Sequence, residues 1–107
     1  MTAPQKRQIL QLADLVDYQD GSIVSRPIIK SDQGNITVFA FAGGQELSEH
    51  TAPFDALLHV LEGEIEVVIS GQAYHLNSQE AIILPPNEPH AVKARSRSKI
   101  ILTMLRA

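Results

Sequence analysis

The sequence contains no cysteine, and this absence removes several classes of protein at once. Disulfide frameworks, cysteine-ligated zinc, iron–sulfur clusters and thiol catalysis all require a thiol or thiolate. Long apolar runs are also missing: no window approaches the roughly 18 apolar residues of a membrane-spanning helix. Residues 1–11 lack the apolar core of a signal peptide. We therefore expect a cytoplasmic protein with no membrane partner.

Basic residues are too few to indicate a nucleic-acid partner. Nine lysines and arginines against twelve acidic residues give a net charge of −3, whereas nucleic-acid-binding surfaces are basic. One run places a basic residue at every second position, as an exposed strand face would: Lys93, Arg95, Arg97 and Lys99. We interpret this run as a solvated strand face and not as a phosphate site.

Motifs that hold nucleophiles or phosphates are absent too. There is no G-x-S-x-G turn that would strain a serine into position for attack. Gly43-Gly44 lacks both the spacing and the following helix of a phosphate-binding loop. These absences argue against nucleophilic catalysis and nucleotide-dependent transfer.

The 107 residues that are present predict one domain rich in strands. Turn residues recur at short intervals, and the segments between them are β-branched or alternate apolar with polar residues. Eight candidate strands follow: 22–30, 35–42, 57–62, 64–70, 73–76, 80–84, 90–94 and 99–105. The one helical candidate, residues 11–18, is two turns long at most. This pattern predicts a β-sandwich or β-barrel.

The four histidines are the remaining candidates for chemistry, and two of them lie in recognisable motifs. Residues 44–63 resemble the first motif of the cupin superfamily, G-x5-H-x-H-x(3,4)-E-x6-G, with Gly44, His50 and Gly63 at its spacing. Residues 79–90 resemble the second motif, G-x5-P-x-G-x2-H-x3-N, with Pro85 and His90 in register.

This resemblance implies an all-β fold, a small single-domain jelly-roll (double-stranded β-helix) barrel of the RmlC-like cupin type. The domain would span residues 1–107, with the conserved barrel at about 35–105 and a short helix and edge strand within 1–34. Asn87 replaces a motif glycine and tolerates a left-handed backbone well. Gln79 replaces another and is a poorer substitute, so we expect its loop to differ from that of the family.

The resemblance also implies a metal site, but this chain lacks part of it. Cupins with the full set hold one divalent ion with two histidines and a carboxylate from the first motif and one histidine from the second. Ala52 and Ala56 stand in place of the second histidine and the carboxylate. His50 and His90 alone predict a divalent metal held weakly at most.

Other donors are conceivable on alternation alone. Glu46 and Ser48 share a face with His50 if that segment is extended. His59 lies an odd number of residues from Ala56, which predicts an outward or interfacial position. His75 is expected to be solvated.

We expect a small, mostly apolar pocket lined by His50, His90, Leu58 and Val60. The favoured function is binding of a small organic ligand in the barrel. The alternative is a metal-dependent cupin enzyme, a dioxygenase or isomerase, in which the open His50/His90 site leaves room for substrate. Metal-free acid–base catalysis by either histidine is a third hypothesis.

A homodimer is expected on two grounds. Residues 81–84 and 100–102 are apolar on both strand faces, so their outer side needs cover from a second sheet or a partner chain. The segment 23–29, with Pro27 in it, would form an edge strand. Small cupins commonly dimerise by packing or exchanging such strands.

Overall fold

The computed structural model describes residues 2–106, so residues 1 and 107 of the predicted domain lie outside the described residues. A 3-10 helix, Leu12–Leu15, precedes nine strands. They are β1 Ile23–Ser31, β2 Gly34–Phe41, β3 Glu46–His50, β4 Phe54–Glu62, β5 Glu64–Ile69, β6 Gln72–Asn77, β7 Ala81–Leu84, β8 His90–Ala94 and β9 Ser98–Arg106. No helix within 2–106 has the length and apolar character needed to cross a bilayer.

The strands form two antiparallel sheets that face each other. The five-stranded sheet has the order β1-β2-β9-β4-β7, and the four-stranded sheet has the order β3-β8-β5-β6. Neighbours in a sheet are mostly distant in sequence, as in β2 with β9 and β5 with β8. This order confirms the predicted all-β jelly-roll.

Strand alternation fills the interior between the sheets. Ile65 and Val67 of β5 point inward and are fully buried, while Glu64 on the same strand is exposed. On β2 the inward side chains include Phe39 and Phe41, which pack in the same hydrophobic cluster as β4 and β5. Val38 and Ala40, which alternate with these residues, therefore point outward.

The outer face of the five-stranded sheet is covered on one half by the N-terminal segment. We call residues 12–20 the strap. Val16 of the strap is 1% exposed and packs on Val38 and Ala40, the outward side chains of β2. The cover that the sequence predicts for apolar outer faces thus comes partly from the chain itself.

Polar contacts fasten the strap at Tyr18. Its hydroxyl donates to Glu62 Oε2 at 2.6 Å, and Lys99 Nζ lies 4.9 Å from the centre of its ring. Lys99 also donates to the Ala13 carbonyl at 2.6 Å. Burial and the Glu62 carboxylate raise the pKa of Tyr18 well above its ordinary value, so the hydroxyl keeps its proton.

The prediction of one solvated basic face at residues 93–99 is wrong. The run crosses from β8 through a turn into β9, so its members do not share one strand. Arg95 is exposed and pairs with Glu66 at 2.7 Å, whereas Lys99 is buried beneath the strap. The alternation of basic residues continues through the turn between β8 and β9, so it gave no sign that one strand ends there.

Candidate functional site

The site begins with an irregularity in the pairing of β3 with β8. Leu47 lies opposite Val92, but His50 lies opposite His90, so three residues on β3 match two on β8. An extra residue of this kind changes the face on which the following side chains lie. Leu47 packs on the interior, and the bulge brings His50 alongside inward-facing His90.

The same bulge overturns the expectation for Glu46 and Ser48. Glu46 lies opposite exposed Lys93 and is itself exposed, before the bulge and on the outer face. The premise that Glu46, Ser48 and His50 share a face holds only for a regular strand. The structure therefore does not bring Glu46 to the histidine pair, and Ser48 contributes its backbone carbonyl instead.

The two imidazole rings are in contact. Their centroids lie 4.4 Å apart with an edge-to-face angle of 66°. His50 Nδ1 lies 2.8 Å from the Ser48 carbonyl oxygen, and His90 Nδ1 lies 3.2 Å from that of Glu88. A carbonyl only accepts hydrogen bonds, so both Nδ1 atoms carry a proton, and Nε2 is the ring nitrogen that can act as an acceptor.

The pair lies where the interior meets solvent. His90 is 9% exposed, whereas His50 is exposed. Burial lowers the pKa of His90 below its ordinary value of 6.5, and the neighbouring His50 lowers it further. The Glu88 carbonyl acts in the opposite direction and does not cancel the effect. His90 is consequently neutral at pH 7.

The turn before β8 positions His90. Asn87 has φ +65°, as its place at a motif glycine predicts. Its backbone N–H donates to the Ala52 carbonyl at 2.8 Å, which ties this turn to the loop between β3 and β4. The Ser70 hydroxyl donates to Glu88 at 3.0 Å. These bonds fix the segment before His90 relative to the loop that follows His50.

Gln79, which stands at a motif glycine, has a left-handed backbone with φ +74°. Glycine adopts this conformation without a steric cost, whereas a residue with a side chain does not. The Gln79 side chain donates to the Leu61 carbonyl at 3.2 Å, and its backbone N–H donates to Val60 O at 2.8 Å. These two bonds offset the strain that a side chain incurs at positive φ.

The donor set does not fit the divalent ion that the sequence resemblance implies. Ala56 is buried in the interior cluster and Ala52 lies in the loop before β4, and both offer only methyl groups. Within residues 2–106, no three side chains of His, Cys, Asp or Glu converge as metal ligands do. Two imidazoles leave at least half of a transition-metal shell to water.

The other predicted site residues lie as follows. Leu58 and Val60 point inward as expected, but each is fully buried in the core cluster and borders no open space. A ligand would reach them only if the interior opened. His59 lies on the outer face of β4, opposite Ile101 and Ala81. His75 is exposed on β6, with Nε2 3.7 Å from Glu64 Oε2.

Sequence reasoning missed the residues that surround the pair through their backbone. The groups concerned are the backbone carbonyls of Ser48, Glu88 and Ala52. Every residue type has this group, so the sequence does not mark which residues provide it. The arrangement depends on the irregular pairing of β3 with β8, which the sequence does not show, and β3 was not among the candidate strands.

Comparison with solved structures places this geometry among known folds. A conserved protein of unknown function from Streptococcus pyogenes shares 26% identity over 100% of this chain and 96% of its own, with a TM-score of 0.92. A cupin superfamily protein from Desulfitobacterium hafniense shares 28% identity over 100% and 97%, with a TM-score of 0.90.

A third similar structure belongs to a longer protein. The cupin 2 conserved barrel domain protein from Leptotrichia buccalis shares 35% identity over 91% of this chain and 47% of its own, with a TM-score of 0.88. This chain thus spans about half of that protein's length. No curated protein sequence matches the chain.

The family comparison covers most of the barrel. The cupin domain model matches residues 37–105, from within β2 to near the end of β9, and includes both His50 and His90. With the jelly-roll topology and the paired motif histidines, this match shows that the chain belongs to the cupin superfamily.

Proposed function

We propose that this cupin binds a small organic ligand at the His50–His90 pair. The carrying observation is the ring pair itself, with both Nδ1 atoms held by backbone carbonyls at 2.8 and 3.2 Å. A carbonyl that fixes one ring nitrogen fixes the tautomer and leaves the other for a partner. Two fixed acceptors 4.4 Å apart between ring centres suit one ligand that bridges them.

The proposed ligand donates hydrogen bonds and carries no negative charge of its own at the contact. Neutral imidazole Nε2 is an acceptor, so it takes a hydroxyl or N–H group and repels a carboxylate oxygen. The low pKa of His90, caused first by burial, opposes its protonation and therefore opposes anion binding. The favoured ligand class is a compact molecule with two neighbouring hydroxyl or N–H groups.

The alternative, a metal-dependent dioxygenase or isomerase, has less support. Its chemistry would need an ion held tightly enough to bind substrate, and the donor set offers His50 and His90 without a carboxylate. Metal-free acid–base catalysis also has less support, because the donor positions Ala52 and Ala56 supply no carboxylate as a partner for either imidazole.

The test is a binding screen by thermal shift with matched compounds. Vicinal diols and catechols are compared with their methyl ethers, which keep the shape and lose the donors. Binding should raise Tm for the hydroxyl compounds alone, and His50→Gln and His90→Gln should each abolish the shift. His75→Gln is the matched control, since His75 is exposed on β6.

Two results would contradict the proposal. One is a hydroxyl compound that stabilises the wild type and the His90→Gln variant equally. The other is a spectrum of the imidazole nitrogens with the proton on Nε2 of both rings, since that tautomer presents donors and not acceptors.

A further inference from the structure

Two polar side chains of β2 point between the two sheets. Asn35 lies opposite Met104 in the pairing of β2 with β9, and Thr37 lies opposite Leu102. Met104 and Leu102 both pack on the interior cluster, and residues directly opposite each other in a sheet share a face. Asn35 and Thr37 therefore lie on the inner face of the five-stranded sheet, where both are half-buried.

The connection from β8 to β9 shows how far along the strands these side chains lie. Ala94 is the last residue of β8, and Ser98 is the first residue of β9. His90 is four residues before Ala94, and Leu102 is four residues after Ser98. Because both strands rise by about 3.3 Å per residue, His90 lies level with Leu102. Thr37, opposite Leu102, is therefore level with the histidine pair.

The connection from β4 to β5 gives nearly the same level independently. Ile69, which lies opposite His90, is six residues after Gly63, the residue that joins the two strands. Thr103 lies opposite the β4 residue six positions before Gly63. On β2 the partner of Thr103 is Ile36. The histidine pair thus lies across the interior from the short stretch of β2 that holds both polar side chains.

A hydrogen bond within β2 orients the Asn35 amide. The Thr37 hydroxyl donates to Asn35 Oδ1 at 3.3 Å. Within residues 2–106 the amide nitrogen of Asn35, Nδ2, has no hydrogen-bond partner. In the same part of the chain, no side-chain nitrogen is both buried and without a partner, so Nδ2 is accessible. An accessible N–H donor on the wall that faces the histidine pair can bind an acceptor of a ligand.

We propose that Asn35 determines the specificity of the His50–His90 site and that Thr37 is its positioning residue. This inference rests on the ligand site proposed above. The imidazole Nε2 atoms accept hydrogen bonds, whereas Asn35 Nδ2 donates one, so the ligand has donors toward one wall and an acceptor toward the other. The ligand class is a compact molecule with two neighbouring hydroxyl groups at one end and a carbonyl oxygen at the other.

The surroundings of the amide favour a neutral carbonyl over a carboxylate. An amide and a neutral imidazole supply no positive charge, and a carboxylate withdrawn from water needs one. Leu102 and Met104, which are partly buried beside the amide, suit an apolar carbon frame. Facing sheets lie about 10 Å apart, and side chains from both walls leave room between them for one small ring or short chain. A hydroxyketone or hydroxyamide fits these requirements.

The test compares two catechols of nearly equal size by isothermal titration calorimetry. One carries an acetyl group para to a hydroxyl, and the other carries an ethyl group there, which has no acceptor oxygen. The acetyl group also makes the hydroxyls better donors, but this effect is the same in every variant. The quantity to compare between variants is therefore the ratio of the two dissociation constants.

The wild type should prefer the acetyl compound, and Asn35→Leu should reduce this preference by about tenfold, the effect of one hydrogen bond. Asn35→Asp keeps the size of the side chain and replaces the N–H donor with an acceptor, so it should reduce the preference at least as much. Asn77→Leu is the matched control, because Asn77 is an exposed asparagine at the end of β6. It should keep the wild-type ratio.

Thr37→Val tests the positioning role, since valine keeps the shape of threonine and removes the hydroxyl. The preference for the acetyl compound should fall by about threefold or more. Thr37→Ser keeps the hydroxyl and should restore the preference, which a loss of packing alone would not explain. A wild-type ratio in Thr37→Val would show that Thr37 does not position the amide.

The outcomes separate this inference from the ligand site on which it rests. If both catechols bind the wild type and their ratio is unchanged in Asn35→Leu and Asn35→Asp, the role of Asn35 is wrong and the ligand site stands. If neither catechol binds the wild type, or if His90→Gln binds both as tightly as the wild type does, the ligand site is wrong and the role of Asn35 is refuted with it.

Discussion

At the scale of single residues, His90 is the residue of the pair whose pKa the fold clearly lowers. Burial lowers its folded-state pKa below 6.5, so the unfolded chain takes up a proton at a higher pH than the folded chain does. The stabilising contribution is complete above pH 6.5. It is lost as pH falls from there through the lower folded pKa.

This linkage predicts an acid-side loss of stability that belongs to one residue. The free energy of unfolding, measured with urea from pH 7.5 to pH 5, should fall more in the wild type than in His90→Gln, which cannot titrate. A direct NMR titration that places the His90 midpoint at or above 6.5 would contradict the prediction.

Gly63 is a second residue whose identity the backbone dictates. It joins β4 to β5 with φ +92°, and a Cβ there would overlap the Ser98 hydroxyl and the Arg97 carbonyl oxygen. Ser98 is fully buried, accepts from Glu64 N at 3.0 Å and has no room to withdraw. Strain and overpacking together make Gly63→Ala destabilising by about 2–4 kcal/mol.

The control for that prediction is another glycine at positive φ. Gly21 has φ +67°, but nothing lies within 4 Å of the position its Cβ would take. Gly21→Ala should therefore cost about 1 kcal/mol, the backbone term alone. Urea midpoints of the two variants separate the contributions, and equal losses would show that the contact with Ser98 is unimportant.

At the scale of elements, the strap stabilises the outer face of the five-stranded sheet through one buried side chain. Val16→Ala removes packing against Val38 and Ala40 and should lower the free energy of unfolding by about 2 kcal/mol. Hydrogen exchange should quicken first at strap amides. Ile9→Ala, at a side chain 94% exposed, should change stability by less than about 0.5 kcal/mol. A similar loss in both would refute the role given to Val16.

Most strands were predictable because burial on one face imposes alternation on the sequence. Residues 64–70 and 90–94 were predicted within a residue of β5 and β8. β3 was missed because four of its five residues are polar or charged and only Leu47 reaches the core. An edge strand with one buried residue lacks the alternation on which the prediction depends.

The site was predictable in part for the same reason. His50 and His90 were identified from motif spacing, which depends on sequence alone. Their contact depends on the bulge in β3, and the number of residues in a bulge is a property of two paired strands. Glu46 was misplaced because alternation puts it on the same face as His50 only in a regular strand, and β3 has a bulge between them. Local sequence thus predicted the donors and not their register.

At the scale of the whole molecule, the buried core and the histidine pair occupy different places in the fold. Leu58 and Val60 have no accessible surface. The histidine pair lies at the rim of the interior, on β3 and β8 of the four-stranded sheet. Mutation of the pair therefore leaves the side chains of β4, in the other sheet, unchanged.

Metal occupancy of the whole protein follows from its donor set. Protein purified without a chelating tag should contain far less than one divalent ion per chain by elemental analysis, since His50 and His90 provide two ligands where a stable site needs three or four.

Supplying the missing donors with Ala52→His and Ala56→Glu should raise the metal content toward one ion per chain. Without metal, the double variant should unfold more easily than the wild type because Ala56 is buried and a carboxylate there lacks a partner. Added zinc should then raise its Tm and leave that of the wild type nearly unchanged. Stoichiometric metal in the unmodified protein, lost in both His50→Ala and His90→Ala, would show instead that two imidazoles and water suffice here.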